Sequence, residues 1–240
     1  NWLTKHNSRL SIPEENDLEE GIKELEKGIK TLYKYKDSSL TDVQKVTKKI
    51  AIFDLENNLK ELKEFPYLDY PLNQIGGIHL NTIEFMSDMH PVRTKSEAND
   101  FIKRVELIRD VYEGTLKDLE KQANSGIYPP EFVYGHVINQ LNDFINYSFE
   151  EHPLYTQFMM KVKELNITDK ELDDFDKRIK KAIEDSVTPG FKLLLGFMER
   201  TKKNANKNHG IWSQPGGDDY YKLRIRTYTT TDYTPEFIHQ

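Results

Sequence analysis

Seven histidines, 40 acidic residues, 13 tyrosines and no cysteine are the side chains from which this 240-residue chain could build chemistry. Without cysteine there is no thiolate zinc site, no disulfide framework and no thiol nucleophile. The histidines stand at His6, His79, His90, His136, His152, His209 and His239, and no two are four apart, so an H-E-x-x-H zinc helix does not occur. Glu150-Glu151-His152 sets carboxylates beside an imidazole, but adjacent helical residues diverge, and the triplet reads as a solvated helix end. Glu236 and His239 have the three-residue spacing of carboxylate–histidine metal motifs in helix bundles. Alone the pair is a weak signal, because a glutamate in a helix's first turn is better explained by the helix dipole. No serine occupies a G-x-S-x-G elbow, Gly76-Gly77 and Gly216-Gly217 lack phosphate-loop spacing, and Asp173-Asp174 and Asp218-Asp219 read as solvated faces. The densest polar chemistry runs from Tyr220 to Tyr233, where four tyrosines, two arginines and four threonines share fourteen positions. Such hydroxyls and guanidinium groups could line a polar cleft and hold a peptide or carboxylate. A polar connection whose tyrosines pack on a helical body fits them equally well, and both readings stand at this point.

The elements that must position these groups are helices. Leu18, Ile22, Leu25, Ile29 and Leu32 form one stripe after Pro13. Thr41 with Gln44 makes a capping box opening a second helix, whose predicted buried stripe is Val43, Val46, Ile50 and Phe53 toward Leu62. The two helices are expected to form an antiparallel hairpin. From Phe65 to Pro91, prolines and glycines break regular structure while Ile75, Ile78, Leu80, Ile83, Phe85 and Met86 keep it apolar. This predicts a loop through the core with a short helix from about Asn81 to Ser87. Thr94 and Glu97 make a second capping box, starting a helix that carries Phe101, Val105, Ile108, Tyr112, Leu116 and Leu119 to a stop at Asn124-Ser125-Gly126. Further helices are predicted after Pro129-Pro130, after Pro153 and after Thr168, and Thr188-Pro189 restarts one. The expected fold is all-α, an irregular array of about seven to nine helices. Residues 1–200 form the helical domain. Residues 201–240 form a polar connection and Tyr/Thr-rich segment. Thr234-Pro235-Glu236 caps a helix barely begun at Gln240, so the chain is expected to be the N-terminal part of a longer protein.

Composition excludes other classes. A formal net charge of −6 argues against a general nucleic-acid binder. No window approaches the roughly 18 apolar residues of a membrane span. Aromatic residues spread along the chain argue against intrinsic disorder.

Gly210-Ile211-Trp212, Pro215-Gly216-Gly217, Tyr220-Tyr221, Arg226, Tyr228-Thr229-Thr230-Thr231, Thr234-Pro235-Glu236 and Ile238-His239 together closely resemble the bacterial family known as domain of unknown function 885. Supporting matches lie upstream in Pro71 to Leu80, in Gly126 to Pro130, and in Thr188-Pro189 before Leu193-Leu194-Leu195. Phe237 stands where the family commonly has a second glutamate, and Tyr233 where it often has leucine. The resemblance implies a helical zinc metallopeptidase of the gluzincin kind, whose histidine–glutamate zinc motif would fall beyond Gln240. It implies no catalytic residue and no cofactor in this chain, with zinc expected in a C-terminal half. The partners implied are that catalytic half of the same polypeptide and a peptide substrate, with no nucleic acid and no transmembrane segment. Tyr220, Tyr221, Arg226, Tyr228, Thr229, Thr230 and Thr231 become the candidate substrate-binding wall. The compartment implied is the bacterial cell envelope or the exterior rather than the cytoplasm. The competing expectation is a non-catalytic helical binding or scaffold module of the envelope.

Overall fold

The structure, a computed structural model, describes residues 5–240. Its helices in chain order are α1 (Asp17–Lys34), α2 (Asp42–Glu64), α3 (Ile78–Glu84), α4 (Lys95–Glu106), α5 (Ile108–Asn124), α6 (Glu131–Asn146), α7 (Pro153–Lys163), α8 (Asp169–Ala182), α9 (Thr188–Thr201), α10 (Gly217–Thr229) and α11 (Pro235–Ile238). No β-strand occurs among the described residues, where only Pro130 and Asn206 pair as an isolated bridge. The architecture is an all-α irregular array. It divides into two compact units, one holding α3 to α9 and residues 5–13, the other holding α1, α2, α10 and α11. The first two helices thus group with the C-terminal segment, a long-range pairing that periodicity does not express.

In the larger unit the core is built by helix stripes at three-four spacing. Phe101, Ile102, Val105, Ile108 and Tyr112 meet Phe158, Val162, Ile179, Phe191 and Leu194, all fully buried. Phe101 stacks on Phe158 at 4.8 Å between ring centroids and Phe144 on Phe191 at 5.0 Å. Two π-helical turns interrupt the α pattern. One, Phe85–Met89, extends α3, and Lys161 caps its end by donating to the carbonyls of Ser87 at 2.6 Å and His90 at 3.1 Å. The other, Ile183–Val187, joins α8 to α9 without a break. Thr188-Pro189 therefore continues a helix rather than restarting one, because the wider turn accommodates a proline that has no N–H to donate.

The long helix expected from Thr94 to Asn124 is interrupted at Leu107. Ser186, in the second π turn, inserts its hydroxyl there, donating to the Glu106 carbonyl at 2.9 Å and accepting from the Arg109 N–H at 3.0 Å. A side chain entering the i to i−4 ladder is a recognised cause of such breaks. The Thr94 box is also half-formed. Thr94 accepts from the Glu97 N–H at 3.2 Å, but the Glu97 carboxylate turns to Arg93, accepting from its backbone N–H at 2.7 Å and its guanidinium at 2.6 Å. Ile75 departs from the expected core loop and is 84% exposed, while Leu72 and Met86 are buried.

In the smaller unit α1 and α2 run antiparallel, with Lys63 reaching Glu26 at 2.5 Å and Tyr33 donating to Glu56 at 3.1 Å. Gly28 permits the close approach, since a Cβ there would sit 3.3 Å from Leu55. The Thr41–Gln44 capping box forms as read from the sequence. The predicted stripe on α2 does not bury as a whole: Val43, Val46 and Ile50 are exposed. The reason is that α1 packs on the opposite side, against Leu55 and Leu62. The stripe's own side is covered only from Phe53 onward, where α10 lies.

Candidate functional site

Most of the Tyr/Thr-rich segment lies in a thirteen-residue helix, α10. Its start is fixed by Gly217, where any Cβ would fall 1.8 Å from the Ile211 carbonyl oxygen. Leu223 and Ile225 are buried and anchor α10. The face carrying Tyr220, Arg224 and Tyr228 braces the helix on α2. Tyr220 donates to Glu61 at 3.2 Å and sets its ring edge-on against Phe65 at 5.6 Å. Arg224 reaches Glu61 at 3.2 Å, donates to the Tyr228 hydroxyl at 2.8 Å, and lies 4.9 Å over the Tyr228 ring. Burial, reinforced by the neighbouring Glu61 carboxylate, pushes the Tyr220 hydroxyl up to about 12, so it stays protonated and donates.

A second face of α10 opens onto a groove of about 740 Å³. Lys60 and Glu64 come to it from α2, Asp219, Lys222 and Arg226 from α10, and Asp232, Tyr233, Thr234 and Glu236 from the turn into α11. The groove carries both signs of charge and pairs them internally. Lys222 holds Asp219 at 2.8 Å, Arg226 Nε lies 3.4 Å from Asp232, and Lys60 lies 3.9 Å from Glu64. Arg226 is also held from behind, with its guanidinium 5.1 Å over the Phe53 ring. Glu236 has no ion-pair partner among the described residues. The backbone N–H at the start of α11 and the Thr234 hydroxyl hold its carboxylate below the usual range, keeping it ionised.

The threonines close α10. Thr229 donates to the Ile225 carbonyl and shares a 2.7 Å hydrogen bond with Thr231, whose N–H donates back to the Thr229 hydroxyl at 3.3 Å. Between them Thr230 takes a left-handed conformation, φ 56° and ψ 25°, strained for a β-branched residue. These hydroxyls reverse the chain into α11.

Of the seven residues singled out from the sequence, the structure brings Arg226 alone into the groove lining. Tyr220 faces α2, Tyr228 is 76% exposed and tied to Arg224, and Thr229, Thr230 and Thr231 form the turn. Tyr221 shares a 3.0 Å hydrogen bond with His239 Nε2. Sequence reasoning missed Lys60, Glu64, Lys222 and Asp232. Asp219, dismissed as half of a surface pair, and Glu236, weighed as a metal ligand against a helix-dipole role, also belong to the groove. Among the described residues no three His, Asp or Glu side chains gather within reach of one ion. Glu236 and His239 with no third ligand do not fit a zinc ion.

An all-α irregular array bearing a mixed-charge groove is the class this geometry defines. The chain belongs to the bacterial family described as bacterial protein of unknown function, DUF885, which matches residues 3–240. A solved structure described as the putative lipoprotein from Colwellia psychrerythraea matches 98% of this chain with a TM-score of 0.87 and 21% identity, a likeness of fold. The chain spans 42% of the length of that protein. No curated protein matches the chain. No helix among the described residues is long and apolar enough to cross a membrane.

Proposed function

We propose that this chain is the cleft-forming helical region of a zinc-dependent, peptidase-like hydrolase of the cell envelope, not catalytic by itself. The observation that carries the reading is the groove beside α10. Its cations and carboxylates, set along one channel beside the Tyr233 ring and the Thr234 hydroxyl, suit an extended peptide, which presents both signs of charge at its termini and alternating donors and acceptors along its backbone. Arg226 is the residue to meet a substrate carboxylate or carbonyl. Its guanidinium is preset by Phe53 and by a single, rather long ion pair that a ligand could replace. Family membership and the greater length of the Colwellia protein support a place within a larger molecule. The zinc and its ligands would come from residues outside this chain.

The test is made in the protein that carries this chain. Arg226→Ala is expected to lower kcat/KM for peptide hydrolysis by about 10- to 100-fold, the worth of a charge-assisted hydrogen bond. Tyr228→Phe, on the bracing face, is expected to leave it unchanged. Equal activity in Arg226→Ala and the parent would remove the groove from the reading. The internal pairing of Lys222, Lys60 and Arg226 favours a second reading, a helical binding or scaffold module of the envelope. It would show saturable peptide binding with no cleavage.

A further inference from the structure

The charge of this molecule is distributed unevenly. Residues 27–50, the facing ends of α1 and α2 with their connection, hold seven lysines against two aspartates. That is an excess of five positive charges in a chain whose net charge is −6, so the other 216 residues carry −11. The lysines are also used differently here. On α8, Lys177, Arg178, Lys180 and Lys181 each hold an acidic residue four positions away. On the hairpin end, Lys45 and Lys48 are paired, whereas Lys27, Lys30, Lys34, Lys36 and Lys49 have no ion-pair partner among the described residues. Beside these cations the same end exposes large apolar side chains: Tyr33 by 60%, Tyr35 by 54%, Val43 by 76%, Val46 by 56% and Ile50 by 57%. Val43, Val46 and Ile50 continue the face of α2 that α10 meets from Phe53 onward, so they form the bare end of a stripe whose other end, half-buried Phe53 and buried Asn57, is covered.

We propose that the end of the α1–α2 hairpin docks on an anionic lipid bilayer. Unpaired lysines supply long-range attraction to acidic headgroups, worth roughly 1 kcal/mol each near the surface, or about fivefold in partitioning. Valine and isoleucine gain by leaving water for the acyl boundary, and the tyrosine rings suit the headgroup level. Nucleic acid is the weaker match, because an exposed aliphatic stripe has nothing to bury against a phosphate backbone. The inference is independent of the peptidase-like reading, since it uses none of the groove residues.

The experiment uses the protein that carries this chain, produced without covalent lipid, and measures cosedimentation with two kinds of vesicle, phosphatidylcholine alone and equimolar phosphatidylcholine and phosphatidylglycerol. Binding to the anionic vesicles alone is expected, lost at about 0.5 M salt as the charges are screened. Lys34→Ala with Lys36→Ala should weaken it about 25-fold, fivefold for each lysine. Val46→Ser with Ile50→Ser should weaken it by at least about tenfold. All four side chains are solvent-exposed, and an unchanged melting temperature shows that the variants are folded. The proposal is overturned by equal binding to neutral vesicles, by no binding, by variants that bind like the parent, or by tighter binding to duplex DNA than to vesicles. It is also overturned by a dimer that Val46→Ser abolishes, which would assign the face to a second copy.

Discussion

Mild acid should destabilise this protein through two buried histidines, well before its carboxylates titrate. His90 is 1% exposed and His152 2%. Burial lowers both from the ordinary 6.5 to about 4. For His90 the neighbouring cations Arg104 and Lys161 act in the same direction, against the Glu97 carbonyl and Asp100. His90 must be neutral to accept from Arg104 at 2.8 Å through Nδ1. His152 must be neutral to cap α7, where Nδ1 accepts the Leu154 N–H at 3.3 Å. With the folded value lowered, the unfolded chain takes up the proton first, so stability is full above pH 6.5 and falls as pH drops toward 4. Between pH 7 and 5 each histidine removes about 2 kcal/mol, about 4 kcal/mol together, a large share of a typical 5–15 kcal/mol. His79, also lowered by burial, acts in the same direction. Glu97, Glu171 and Glu236 have values below 4.5 and lose their contributions only at lower pH, so this window isolates the histidines. Urea unfolding at pH 7 and 5 measures the difference. His152→Asn keeps a cap of the right length without the titration and should remove about half of the loss. A stability independent of pH across this window would refute the reasoning.

Other substitutions probe the local devices that set each unit's helices. Ser186→Ala leaves the Glu106 carbonyl and Arg109 N–H without the hydroxyl that bridges them and should cost about 2 kcal/mol in urea unfolding. Thr230→Gly relieves the left-handed strain at the end of α10 and, after the extra entropy of an unfolded glycine, should raise stability by about 0.5–1 kcal/mol. Tyr220→Phe should cost about 1 kcal/mol by stranding part of Glu61, with no change in peptide kcat/KM. An equal loss of stability and activity would show that the bracing face touches substrate.

The fold was legible where local rules act alone. The capping box at Thr41, the helix start at Thr168, where Thr168 and Glu171 cap each other, Pro153 at a helix start and the apolar stripe from Phe101 to Tyr112 all follow from short-range chemistry. What failed depended on tertiary partners. Val43, Val46 and Ile50 have helical spacing, yet spacing does not say which side α1 takes. The break at Leu107 depends on Ser186, almost 80 residues away. The Tyr/Thr-rich segment looked like a connection because β-branched threonines and polar residues weigh against a helix. Two buried anchors, Leu223 and Ile225, and the hold of Arg224 on Glu61 override that preference. Four groove residues, Lys60, Glu64, Lys222 and Asp232, went unremarked because Lys60 and Glu64 stand some 160 positions from Lys222 and Arg226, and single charged residues in a chain with 40 acidic ones carry no signal.

The account's central claim is that Arg226 and the groove beside α10 receive a peptide. The direct measurement is hydrolysis of a mixed peptide library by the protein carrying this chain, parent against Arg226→Ala, with cleavage read by mass spectrometry. The account predicts cleavage by the parent and a loss of about 10- to 100-fold in kcat/KM in the variant. A library left intact by the parent, or cleaved equally by both proteins, would contradict it.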